Sequence, residues 1–203
     1  MRKGILIVIE GLDGAGKTTI AKWLVDLFNN AGYNALYTYE PTDSLFVKAL
    51  KSYNDFRSAE LDALVYAADR LVHLRSKVLP ALEEGTIVVM DRYYFSSVAY
   101  QGAQGAPIEW VFELNKYARK PDLAIYIDVK PEVGLMRLSK KESLSRFPEY
   151  EKIELLRKVR EIYLELVNRG LLVLVDGSRE LDTVKSKVLE IIYSAFPFLR
   201  GLN

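Results

Sequence analysis

Four apolar runs, Gly4 to Ile9, Thr86 to Met90, Leu123 to Val129 and Leu171 to Val175, are short, rich in valine and isoleucine, and do not alternate with polar residues. A strand with one wet face alternates, so these runs read as strands buried on both faces, the pattern of a parallel sheet covered by helices. Ala35 to Tyr39 is a weaker fifth strand. Between the strands lie helical stripes: Ile20, Leu24, Leu27 and Phe28; then Leu64, Ala68, Leu71, Leu74, Val78 and Leu82; then Ile153, Leu156, Val159, Tyr163 and Leu166; then Val184, Val188, Ile191 and Ile192. Gly32 and Gly85 stand where helices should stop, and Pro131 where one should start. The alternation predicts a three-layer α/β domain with a five-stranded parallel sheet flanked by helices. At 203 residues and 50% apolar content, residues 1–203 fit a single domain.

The first strand runs straight into Gly11-Leu12-Asp13-Gly14-Ala15-Gly16-Lys17-Thr18, a full match to G-x-x-x-x-G-K-[ST] that opens an amphipathic helix. Glycines let the backbone curl so that successive N–H groups point inward, and the helix N-terminus adds its partial positive charge. Residues Gly11 to Thr19 are therefore expected to hold the phosphates of a nucleoside triphosphate with magnesium. Lys17, read as an exposed loop lysine, would reach the β- and γ-phosphates, and Thr18 would ligate the metal. Val88-Val89-Met90-Asp91 is an apolar strand ending in a carboxylate. Strand C-termini line the ligand crevice of a parallel sheet, so Asp91 is expected beside the magnesium, with Arg92 next to it.

Other classes are disfavoured. With 28 basic and 27 acidic residues the net charge is +1, which offers no electrostatic footprint for nucleic acid or a membrane surface. There is no cysteine, so disulfides and thiolate metal sites are excluded. The apolar run after Lys3 ends at Glu10, too short for a secretory signal, and no run reaches the roughly 18 to 20 residues that span a bilayer. These readings suggest a cytoplasmic protein. A GTPase switch should carry Asn-Lys-x-Asp, whereas the chain has Asn115-Lys116-Tyr117-Ala118. A kinase for some nucleoside or nucleotide and a P-loop ATPase acting on a partner both remain compatible with the loop.

The phrases Ile9 to Thr19, Leu64 to Leu74, Asp91 to Gly102 (DRYYFSSVAYQG) and Pro121 to Arg137 resemble the thymidylate kinase family, in order and spacing, over nearly the whole chain. The resemblance implies ATP-dependent phosphorylation of dTMP, a nucleoside-monophosphate-kinase-like fold and a homodimer. It places Tyr66 against the thymine ring and Arg70, one helical turn on, at the base carbonyl. Tyr66 taken alone reads equally well as a core aromatic. Arg92 takes the place of the arginine on the acceptor phosphate, Ser97, Tyr100 and Gln101 the places that close on sugar and base, and Asp13 that of the carboxylate facing the acceptor sugar. Glu40, in Tyr39-Glu40-Pro41 where the family usually has Arg-Glu-Pro, is implied to be a substrate-binding residue as well. Some members carry a loop arginine at the position of Gly14; others bring one from a lid. Here the basic stretch at about 137–151 is the candidate lid, and Arg137 or Arg146 the expected catalytic cation, with Lys17 and Arg92. His73, the only histidine, is expected to be structural.

Overall fold

The computed structural model describes residues 3–139 and 149–200. Strands β1 (Ile5–Gly11), β2 (Ala35–Tyr39), β3 (Ile87–Asp91), β4 (Leu123–Asp128) and β5 (Val173–Asp176) form one parallel sheet in the order β2-β3-β1-β4-β5. This is the sheet that the apolar runs predict. Ile9 pairs with Asp91, and Gly11 with Ile127. The phosphate loop and Asp91 thus emerge side by side at the C-terminal edge of two adjacent strands, where ligands of parallel sheets bind.

Burial on both faces holds for the inner strands and not for the edges. Leu6 to Ile9, Val88 to Met90 and Ile125 to Ile127 are 0% exposed, whereas Val173 and Leu174 on β5 are about two-fifths exposed. An edge strand lacks a neighbour on one side, and helix cover thins there.

Helix α1 (Lys17–Asn30) starts after the left-handed Gly16 and ends before Gly32, as the glycines predict. It buries Ile20, Leu24 and Phe28 against the sheet, each side chain stabilising the fold by roughly 1.5–3 kcal/mol. Helix α2 (Leu45–Ser52) is capped by Ser44, whose Oγ accepts from the Val47 N–H.

Helix α3 (Ala59–His73) departs from its predicted stripe. Leu64 is 49% exposed, and the buried positions are Asp62, Ala63, Ala67, Asp69, Arg70 and His73. The inward face of this helix is polar because it lines a site. A single turn of π-type helix (Leu74–Val78) leads into α4 (Leu79–Glu83), and from there Leu74, Val78 and Leu82 do pack into the core. Pro80 lacks the N–H that a regular helix would offer to the carbonyl of Ser76, which accounts for the altered turn.

The remaining helices are α5 (Tyr94–Ala103), α6 (Ile108–Leu114), α7 (Pro131–Ser139), α8 (Glu149–Asn168) and α9 (Leu181–Ala195). Helix α8 buries Leu156, Val159, Tyr163 and Leu166, the face its stripe predicts. Of the candidate lid, Arg137 sits on α7, while Arg146 lies outside the described residues. Among the described residues no helix is long and apolar enough to cross a membrane.

Candidate active site

At the end of β1 the chain turns through the phosphate loop. Gly16 has φ 96°, and no side chain caps α1, so the first amides of the helix are left to a ligand. Lys17 is buried, 6% exposed, with Nζ donating to the carbonyl of Leu12 at 2.8 Å. That corrects its reading as an exposed lysine. Burial, helped by the charge of Arg92, pushes its ammonium down to about 8 against the opposing pull of Asp13, Asp91 and Glu10.

The Asp91 carboxylate is oriented by two hydroxyls. Its Oδ2 accepts from Thr18 Oγ1 and from Tyr37 OH, the latter at 3.4 Å, while Oδ1 is buried without a partner. A buried carboxylate oxygen without a donor is costly unless a cation meets it. Among the described residues no cluster of three or more His, Cys, Asp or Glu could cage a metal. The donor set of one carboxylate and one hydroxyl fits magnesium, which takes few protein ligands and completes its shell with water and phosphate oxygens.

Two cavities flank this point. The larger, about 800 Å3, runs over Asp13 to Ile20, past Tyr37, Tyr39 and Asp91, to Arg137 and the Gly177 to Leu181 loop. Gly11 and Leu12 do not line it; they shape the turn beneath. Arg137 Nη2 donates to the carbonyl of Gly177 at 3.0 Å, and Nη1 lies 3.5 Å from that of Gly14. The smaller cavity, about 280 Å3, is lined by Asp13, Glu40, Tyr66, Arg70, Arg92, Ser97, Tyr100 and Gln101. Every residue that the resemblance assigned to the acceptor lies there. Arg57 and Asp62, which the sequence did not single out, line it too.

Asp13, Glu40, Pro41 and Arg92 belong to both cavities. Arg92 Nη2 donates to Asp13 Oδ1 at 2.5 Å, and its guanidinium lies 5.1 Å from the centre of the Tyr100 ring. The Tyr100 hydroxyl is 3.4 Å from Asp13 Oδ2. Tyr66 points its hydroxyl towards Arg57 Nη2, 3.4 Å away, and Arg57 forms a two-point ion pair with Asp62. Burial pushes the Tyr66 hydroxyl up, so it is a neutral phenol at neutral pH.

Arg70 is 3% exposed and held on three sides. Nε donates to Glu40 Oε2 at 2.6 Å, Nη1 to Asn115 Oδ1 at 2.5 Å and Nη2 to Ser97 Oγ at 3.1 Å. Glu40 also faces His73 Nδ1 at 3.1 Å, and His73 Nε2 is 2.7 Å from Thr38 Oγ1. His73 therefore braces a buried network, in line with the structural role expected of it. Gln101 is 4% exposed, and its Oε1 has no partner. An amide oxygen in that condition suits a ligand that brings a donor.

Residues 9–188 match the family described as thymidylate kinase. The chain belongs to the thymidylate kinase family. It is 57% identical to a probable thymidylate kinase of Staphylothermus marinus over 196 residues, spanning 96% of this chain and 98% of that one. A probable thymidylate kinase of Archaeoglobus fulgidus is 45% identical over 200 residues, 98% and 100% of the two chains. One from Pyrococcus horikoshii is 42% identical over 172 residues, 81% and 83%.

The site also contains residues that motif matching passed over. Glu10, next to last in β1, is fully buried; burial pushes its carboxyl up while Ser96, Arg92, Tyr163 and Tyr93 hold it down. A charge ending a strand buried on both faces demands partners, and that was its legible signal. Tyr37, Asn115 and Ser96 carried none.

Proposed function

We propose that the protein transfers the γ-phosphoryl group of ATP to dTMP, giving ADP and dTDP. The observation that carries this is the pair of adjoining cavities that share Asp13 and Arg92. One has a phosphate loop and room for a nucleoside triphosphate; the other is smaller, with Arg70, Tyr66 and the unpartnered Gln101 oxygen placed for a pyrimidine base.

In this reading an oxygen of the acceptor phosphate attacks the γ-phosphorus, the bond from that phosphorus to the β-γ bridging oxygen breaks, and ADP leaves with the electron pair. An acceptor phosphate is already anionic, so no general base is required, and positioning plus charge stabilisation carry the catalysis. Lys17 and the loop amides hold the β- and γ-phosphates. Arg92, a planar two-point donor, holds the acceptor phosphate. Asp13 fixes Arg92 and faces the acceptor sugar, and Tyr100, tied to both, crowds a ribose 2′-hydroxyl and so favours deoxyribose. Thr18 and Asp91 would hold magnesium, which would supply neutralisation of the charge on the bound phosphates. Arg137 and Arg146 are proposed as cations for the transferring group.

A coupled assay of ADP release, with ATP and a panel of nucleoside monophosphates, tests the proposal. Release stimulated by dTMP above every other acceptor supports it; acceptor-independent release would point to an ATPase instead. A cytoplasmic homodimer belongs to the same reading. The exposed Leu45, Phe46, Tyr53 and Phe56 around α2 offer apolar surface for self-association, and sedimentation velocity decides it.

A further inference from the structure

Glu10 lies in β1 just before the phosphate loop, 0% exposed. All four of its hydrogen-bonding partners can donate. Oε1 accepts from the N–H groups of Tyr93 at 2.9 Å and Ser96 at 3.2 Å; Oε2 accepts from Ser96 Oγ at 2.6 Å and Tyr163 OH at 2.9 Å. An ionised carboxylate, acceptor-only, fits that set.

The two amides identify part of its work. Tyr93 is the N-cap residue of α5 and offers no side-chain cap, while Ser96 is the third residue of the helix, whose N–H a capping side chain ordinarily satisfies. Glu10 therefore caps α5 from a different strand. A serine at position 93 could accept from the Ser96 N–H, and a neutral side-chain oxygen at position 10 from the Tyr93 N–H, without burying a charge. Capping alone does not explain a carboxylate here.

Arg92 does. It joins β3 to α5 and is the one non-glycine residue with positive φ, 68°, among those described. Its N–H donates to the carbonyl of Ile9 at 3.0 Å, so residues 9 and 10 grip residues 92, 93 and 96 together. Ser96 has one hydroxyl hydrogen. Given to Glu10 Oε2, it leaves the Ser96 oxygen as acceptor for Arg92 Nη1, 3.1 Å away. A left-handed arginine persists only where its surroundings over-determine it. Glu10 supplies that determination at the backbone that follows the turn, Tyr93 and Ser96, and, through the Ser96 hydroxyl, at the guanidinium, while the carbonyl of Ile9 holds the Arg92 N–H.

We propose that Glu10 is a positioning residue for Arg92, aiming its guanidinium at the junction of the two cavities through Ser96 while fixing the left-handed turn. The inference rests on the assignment of Arg92 to the acceptor phosphate in the proposed function. It predicts a loss specific to the acceptor, not a general weakening of the site.

The test is a double-mutant cycle with Glu10→Gln, Arg92→Ala and the double variant, each checked for folding by thermal denaturation. Glu10→Gln is expected to lower kcat/KM for dTMP by roughly tenfold or more, leave ATP affinity within about twofold, and add little once Arg92 is alanine. An equal effect in both backgrounds, or a parallel fall in ATP affinity, would overturn the proposal. Should Glu10→Gln not fold, Ser96→Ala keeps both amide bonds to Oε1 and removes the hydroxyl that links Oε2 to Arg92 and also meets the Tyr163 hydroxyl at 2.9 Å; full acceptor turnover in that variant would overturn it as well. Transfer by the wild type and its loss in Arg92→Ala test the functional reading separately. If another monophosphate proves to be the acceptor, that reading fails, and the same cycle run with the true acceptor still decides the role of Glu10.

Discussion

A Cβ on Gly14 would lie 2.2 Å from the carbonyl oxygen of Gly134, and a Cβ on Gly134 would lie 2.5 Å from that of Asp13. The phosphate loop and the first turn of α7 are therefore packed backbone against backbone. Gly14 also has φ 80°, a conformation that side chains resist. An arginine at this loop position, the arrangement of some family members, could not be built here without displacing α7.

That contact makes Gly134 a sensitive position. Gly134→Ala should overpack the junction and cost about 1–3 kcal/mol of stability. Because the displaced partner is the loop itself, ATP affinity should fall with it. Thermal denaturation with and without ATP measures both, and a variant with unchanged Tm and ATP affinity would show that the two backbones separate without penalty.

Lys17 gives a pH prediction with a definite sign. Its folded value, about 8, lies below the ordinary lysine value of 10.5, so between those limits the unfolded chain binds more protons. Its contribution to the stability of the nucleotide-free protein should rise as pH climbs from about 8 towards 10.5. ATP affinity should fall over the same rise, because the cation that meets the phosphates is being lost. In Lys17→Met both pH dependences should flatten and transfer should disappear, with a Tm no lower than wild type, since a buried cation gives way to an apolar chain of similar length. Denaturation and ATP titration across pH 7 to 10 check the signs.

Asp91→Asn keeps the shape of the side chain and removes the charge behind the unpartnered Oδ1. If that oxygen meets magnesium, the magnesium concentration for half-maximal turnover should rise by roughly tenfold or more, with little change in ATP binding measured without metal. Metal titrations of wild type and variant decide it. An unshifted magnesium requirement would remove Asp91 from the metal site.

Arg70 and Gln101 both line the acceptor cavity but should respond differently to mutation. Arg70→Ala strips its salt-bridge partner from the buried Glu40 and leaves Asn115 and Ser97 without their guanidinium, so a stability loss of about 3–5 kcal/mol should accompany any loss of dTMP binding. Gln101→Leu removes an oxygen that makes no bond in the protein, so it should weaken dTMP by about 1 kcal/mol or more with Tm nearly unchanged. Denaturation curves and dTMP titrations on both variants separate the two roles.

Much of this molecule could be read along the chain because the information is local. Non-alternating apolar runs marked the inner strands, since a residue buried on either face of a sheet must be apolar whatever lies opposite it. The loop from Gly11 to Thr18 could be read for the same reason: its glycines and its lysine act through neighbouring backbone. Tertiary structure decided what depends on partners far off in sequence. Leu64 reads as a core residue on its hydrophobic stripe, and that stripe leaves Arg70 out, yet α3 turns Arg70 inward because Glu40, Asn115 and Ser97 await it there. Lys17 is buried because the loop folds its chain back onto Leu12. Glu10 and Ser96 stand 86 positions apart, and only the sheet order that sets β1 beside β3 brings a strand carboxylate to the start of α5. Periodicity registers how much water a position loses; it carries no record of which group replaces that water, and for a buried charge the replacement determines the role.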